Sequence, residues 1–142
     1  MSNEFLEKMY KQINKRKSML KAPKVVDLSR VAFEIEADTI RSIENSVESL
    51  NKNIIKNARD KYLVLDRYFD EGNKKYMFSI ELKKGNFPWY DVILRVVSKN
   101  KGLALSEFKK LFYSDEFLQA LKKRLEEPMF RSFDAEILKV LD

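Results

Sequence analysis

The 142-residue chain contains no cysteine and no histidine. Without cysteine there is no disulfide, no thiol nucleophile and no iron–sulfur ligation. Without histidine there are no Cys/His zinc sites, no Ser-His-Asp chemistry and no imidazole switch near neutral pH. Glycine and proline are scarce, with three residues of each, and Trp89 is the single tryptophan. No apolar run approaches membrane-span length; Val92-Ile93-Leu94 is broken at once by Arg95. The first residues, Met-Ser-Asn-Glu-Phe-Leu-Glu-Lys, are charged from Glu4 onward and are not expected to open a signal peptide. The expectation is a cytoplasmic protein without a membrane association.

What is present is charge. Lysine and arginine total 28 against 22 aspartates and glutamates, a net +6. The excess is concentrated at the start, where residues 1–30 carry eight basic and three acidic side chains. Residues 31–86 balance at ten of each. Hydrophobic residues make up 44% of the chain, enough for a folded core rather than a disordered polyelectrolyte.

Residues 3–20 read as a basic amphipathic helix, with Phe5, Met9 and Ile13 on one side and Pro23 as its stop. The next pattern is the strongest in the chain. Ile40, Ile43, Val47, Leu50 and Ile54 are spaced 3, 4, 3, 4, the seam of a paired helix. It predicts a long helix from about Ser29 or Asp38 to about Arg59, with a limit at Phe69. Either this stripe packs on the rest of its own chain, or it pairs with a second copy in a homodimer. Asp70-Glu71-Gly72-Asn73 is a turn. Tyr76, Phe78, Ile80 and Leu82 alternate with polar residues and read as a strand, paired in a hairpin with residues 62–69.

The last third reads as helical. Pro88 opens a helix carrying Val92, Ile93, Val96 and Val97, closed by Gly102. Ser106 caps a short helix and Ser114 a longer one that ends before Pro128. Asp134 caps a final helix with Ile137, Leu138 and Leu141. The predicted fold class is mostly α with a small β-hairpin. The expected divisions are a basic helical arm (1–30), a long helix with the hairpin (31–86) and a helical module (87–142).

No phosphate-binding glycine loop, nucleophile elbow, Ser-x-x-Lys or metal-ligand cluster is present. Glu34, Glu36 and Asp38 alternate and could hold Mg²⁺ from one side of a strand, but such a run also forms an ordinary solvated face. The expectation is a protein without catalysis, metal or cofactor. The stretch from Val92 to Leu111 resembles the opening of winged-helix and helix-turn-helix domains: an aliphatic helix, a basic Gly turn at Lys99-Asn100-Lys101-Gly102, then a Leu-Ala-Leu-Ser step into a second helix. The resemblance covers about residues 90–133. It implies that residues 115–126 form the recognition helix and 129–133 the start of a wing. The stretch Arg59-Asp60-Lys61-Tyr62-Leu63-Val64-Leu65-Asp66-Arg67-Tyr68 also resembles the Arg-Tyr-Leu-rich helix of the GINS subunits of the replicative helicase, whose plan is a long-helix domain joined to a small strand-containing module.

The expected function is therefore nucleic-acid binding, most readily to DNA, in a regulatory or architectural role. The expected contacts are Lys8, Lys11, Lys15, Arg16, Lys17, Lys21 and Lys24 in the arm, and Lys99, Lys101, Lys109, Lys110, Lys122, Lys123 and Arg124 in the C-terminal module. Asp115 and Glu116 stand where a recognition helix usually meets phosphate, which argues against standard docking. The alternative is an adaptor, a subunit or inhibitor of a replication or transcription complex.

Overall fold

A computed structural model describes residues 28–53, 55, 60–128 and 134–142. The elements run α1 (Leu28–Asn53), β1 (Lys61–Asp70), β2 (Lys75–Lys84), β3 (Asp91–Ser98), α2 (Lys101–Phe112), α3 (Asp115–Glu126) and β4 (Ile137–Val140). The strands form one mixed sheet in the order β1-β2-β3-β4. The first three are antiparallel neighbours, and β4 returns parallel to β3 after the α2–α3 pair. This is an α/β fold, and the expectation of a mostly α chain with only a hairpin is overturned by that sheet.

The β1–β2 hairpin lies where period-two alternation places it. Its turn is held by Asp70, whose two carboxylate oxygens accept from the Asn73 amide N–H at 3.2 Å and from Nδ2 at 2.9 Å. Residues 91–98, expected to be helical, form β3. Val92, Ile93, Leu94 and Val96 are all buried, so the segment shows an apolar run interrupted by Arg95 rather than alternation. Such a run suits a buried helix or a buried strand equally by periodicity, and β-branching at Val92, Ile93, Val96 and Val97 favours the strand. The helix expected after Asp134 is replaced by β4, whose four residues are too few to show a period.

The helices are placed differently from expectation as well. Helix α1 ends at Asn53, short of Arg59 and Phe69. Asn51 holds that end against the sheet: its Oδ1 accepts from Leu63 N at 2.6 Å and its Nδ2 donates to Leu63 O at 3.1 Å. Helix α2 is capped by Asn100, whose Oδ1 accepts from Leu103 N, not by Ser106, which is buried within the helix. Gly102 lies in the first turn of α2 and does not close a preceding helix. Ser114 caps α3 as expected, accepting from Phe117 N at 3.3 Å. The three-helix order of a helix-turn-helix domain is thus a strand followed by two helices here.

One apolar cluster joins α1, all four strands, α2 and α3. Within it Ile40, Ile43 and Val47 are buried and Leu50 packs at its margin; Ile54 lies outside the described residues. The 3, 4, 3, 4 stripe therefore faces the sheet and α2 of its own chain. The boundary expected at 86/87 falls inside the sheet, between β2 and β3. Because Ile43 is fully buried, Ile43→Ala should cost about 2–5 kcal/mol of stability in denaturant titration. Val47→Glu should unfold the chain rather than release a folded monomer from a dimer, as light scattering with circular dichroism would show.

Candidate functional site

Strand alternation sorts the sheet into two faces. Leu63, Phe78, Ile80, Leu82, Leu94 and Ile137 join the helix-covered core. The opposite face carries Tyr62, Val64, Asp66 and Tyr68 from β1, beside Met77, Ser79, Glu81 and Lys83 from β2. In the register Tyr62 stands opposite Lys83, Val64 opposite Glu81, and Asp66 opposite Ser79. Two features meet on this face.

The first is the connection from β2 to β3. With the last two residues of β2 it reads Lys83-Lys84-Gly85-Asn86-Phe87-Pro88-Trp89-Tyr90, with two lysines, three aromatic rings and no carboxylate. Phe87 is 50% exposed and Trp89 52%, with Tyr90 and Tyr62 also exposed, far more open than rings retained for the core. The Lys83 ammonium lies 5.5 Å from the Tyr90 ring centroid, a cation–π contact. The loop is tied at its start. Gly85 N donates to Asp60 O at 3.0 Å, Tyr62 OH donates to Gly85 O at 3.3 Å, and Phe87 N donates to Lys84 O at 2.9 Å. Gly85 has φ +48°, a left-handed conformation that glycine adopts without cost.

The second is a pair of acids on adjacent strands. Asp66 is exposed, while Glu81 is 2% exposed and its Oε2 has no hydrogen-bond partner. Burial raises the Glu81 pKa from 4.5 to about 6; the neighbouring Asp66 charge adds to the rise, and Lys83 and Arg95 oppose it. A hydrogen bond from protonated Glu81 to Asp66 acts in the same direction. Arg95 spends its Nε on Ser79 Oγ at 3.1 Å. Among the described residues no group of three or more acids forms a metal cluster.

Of the expected nucleic-acid contacts, those in the C-terminal module lie among the described residues. Lys8, Lys11, Lys15, Arg16, Lys17, Lys21 and Lys24 lie outside the described residues. Lys101 pairs with Glu36 at 2.7 Å, and Lys123 with Glu136 at 3.3 Å. Lys109 is half-buried and engaged, while Lys99, Lys110 and Lys122 are exposed. Arg124 is not a surface cation. It is buried, 2.6 Å from Asp91 and 2.8 Å from Glu127. The exposed positions of α3 are Asp115, Glu116, Gln119, Lys122, Lys123 and Glu126, three acids against two lysines. That surface has no positive excess to offer a phosphate backbone.

Glu34 lies on α1 with Glu36 and Asp38, so these acids do not line a strand. A groove of about 420 Å³ lies elsewhere, between α1 and the α2–α3 turn. Its lining includes Asn45, Ser46, Ser49 and Tyr113, and Tyr113 OH meets Ser46 Oγ at 2.9 Å. Apart from that phenol it offers no acid or base. The aromatic loop was missed in the sequence, although lysines interleaved with Phe87, Trp89 and Tyr90 around Gly85 and Pro88 are a legible signal. Reading Pro88 as a helix start absorbed those rings into a helix face. No family model matches the chain, and no curated protein or solved structure matches it either.

The Glu81 shift has a consequence for stability. A carboxyl whose folded pKa lies above its unfolded value stabilises the fold most when protonated in both states. The contribution is complete below pH 4.5 and is lost as pH rises through about 6. The loss amounts to about 2 kcal/mol for a shift of this size. Glu81→Gln removes it. In paired denaturant titrations the variant should gain about 2 kcal/mol on wild type between about pH 4 and about pH 8. A difference that does not change with pH would show that Glu81 is not the group responsible.

Proposed function

We propose that the chain binds nucleic acid without performing chemistry on it, in a regulatory or architectural role. The observation that carries this reading is the β2–β3 connection, where Lys83 and Lys84 adjoin exposed aromatic rings with no carboxylate in the segment. Lysines next to phosphates release condensed counterions, and aromatic faces accept bases. The net +6 and the basic residues 8–24 support the same partner through long-range attraction. The contact surface in this reading is the sheet-end loop, not α3.

A salt series tests it. Each phosphate contact contributes about 0.7 to the log–log slope on a single strand and about 0.9 on a duplex. Lys83→Ala with Lys84→Ala should flatten the slope by about 1.5 units and weaken binding alike on every sequence. If wild type binds neither single- nor double-stranded DNA or RNA at low salt, the reading fails. The adaptor alternative, with a protein of a replication or transcription complex as partner, then stands first.

The Asp66–Glu81 pair favours a second reading. A proton held between two carboxyls can be displaced by a divalent cation, and Mg²⁺ is commonly held by one or two carboxylates with water and substrate phosphate completing its shell. With Lys83 on the same face, such a cation would suit metal-assisted phosphodiester hydrolysis. The assay is cleavage of labelled oligonucleotides with Mg²⁺ or Mn²⁺. Cleavage lost in Asp66→Ala and in Glu81→Ala supports this reading. No cleavage by wild type with either metal removes it.

A further inference from the structure

We propose that the β2–β3 loop recognises unpaired nucleotides, with Trp89 and Phe87 as stacking platforms for successive bases. The inference rests on the nucleic-acid reading above and narrows its ligand to a single strand. In a duplex the base faces are stacked on one another, so an exposed ring reaches only base edges or sugars. In a single strand both faces of each base are available, and aromatic stacking is among the largest contributions to binding. A surface built for duplex phosphate alone gains nothing from exposed rings that must be kept from aggregation. Here three lie within four residues, Phe87, Trp89 and Tyr90, and Tyr62 stands across the register from Lys83. Phe87 and Trp89 are each about half exposed, which leaves a large part of each side chain open to a partner.

The loop is also prepared for this role. Its entry is held by the bonds of Gly85 to Asp60 and Tyr62, and by that of Phe87 N to Lys84 O. Its exit is Asp91, which is buried and paired with Arg124 at 2.6 Å. Pro88 fixes the backbone between Phe87 and Trp89. A loop backbone held in place loses little freedom on binding, so more of the stacking energy appears as affinity. Lys83 and Lys84 meet the phosphates between the stacked bases, and their charge is what distinguishes this partner from an apolar peptide. The same rings and lysines could sit in an anionic membrane interface, and the experiment includes that outcome.

Because Trp89 is the only tryptophan, its emission reports directly on the loop. Titration of the full chain with an unlabelled thymidine oligonucleotide should quench Trp89. Anisotropy of a labelled oligonucleotide should show the single strand bound at least about tenfold tighter than a duplex of the same length. Trp89→Ala and Phe87→Ala should each lower single-strand affinity by about five- to a hundredfold, while Trp89→Phe restores most of it. Duplex affinity should change little, and circular dichroism should be unchanged because both residues are exposed. Three results would overturn the proposal. Duplex bound as tightly as single strand, with no effect of Trp89→Ala, leaves nucleic-acid binding intact and sinks the stacking loop. A blue shift of Trp89 emission on phosphatidylcholine–phosphatidylserine vesicles, with no response to the oligonucleotide, assigns the loop to a membrane surface. No response to any nucleic acid removes both this inference and the reading beneath it.

Discussion

The arrangement depends on one buried cation. Arg124, near the end of α3, is almost fully enclosed and touches carboxylates from three places in the chain: Asp91 at the start of β3, Glu127 just beyond its own helix, and Glu136 ahead of β4 at 3.6 Å. A guanidinium taken out of water is tolerated only with such compensation. The Asp91 contact is a close charge pairing rather than an aligned hydrogen bond, so its strength is electrostatic. Losing either partner would strand a buried charge, at a cost of about 3–5 kcal/mol. The network fixes the angle of α3 to the sheet and the point where the β2–β3 loop must end. Lys61 adds a second tie, donating to the Leu125 and Glu127 carbonyls at the close of α3. Burial, and then repulsion from Lys84, hold its ammonium below its ordinary pKa.

Much of this was legible in the residues, and the failures have physical causes. The β1–β2 hairpin showed alternation with a turn between, and α3 showed helical spacing with Ser114 and Pro128 at its ends; α1 showed the spacing but no break near Asn53. The stripe at Ile40, Ile43 and Val47 was correctly apolar, but spacing alone cannot say whether a second chain or a sheet covers it. Strand β3 failed because it is buried along most of its length, and burial erases the alternation by which strands are recognised. The weight given to Pro88 as a helix opener then turned an exposed aromatic loop into part of a helix. Arg124 was counted with Lys122 and Lys123 because three adjacent cations look alike in sequence. On a helix they point in different directions, and only the third faces the core.

The face away from the helices concentrates what the core does not require. Glu81, with its raised pKa, costs stability at neutral pH, and a buried aliphatic residue there would not. Phe87 and Trp89 in the β2–β3 connection are likewise about half exposed and bury less than the core rings do. Groups that the fold does not require, gathered near one end of the sheet, are consistent with the binding role proposed above. The helix face shows the opposite economy, with aliphatic and phenylalanine side chains filling the space between sheet and helices and Phe108 stacked against Phe78 at 5.7 Å.

A single irregularity links the two faces. Between β2 and β3 the register shifts after Ile80: Ile80 pairs with Leu94 but Glu81 pairs with Val92, leaving Ile93 as an extra residue on β3. Without that bulge Asp91 would stand opposite Lys83, on the face away from the helices. With it Asp91 stands opposite Leu82, on the helix face, where Arg124 can reach it. The extra residue is therefore what allows the buried charge pair to form, and Ile93 fills its own position completely, with no exposed surface. The same shift sets where the connection from Lys84 must return to the sheet. Residues 85–90 leave from Lys84 and return at Asp91, both on the helix face by alternation, and carry the exposed Phe87 and Trp89 between them.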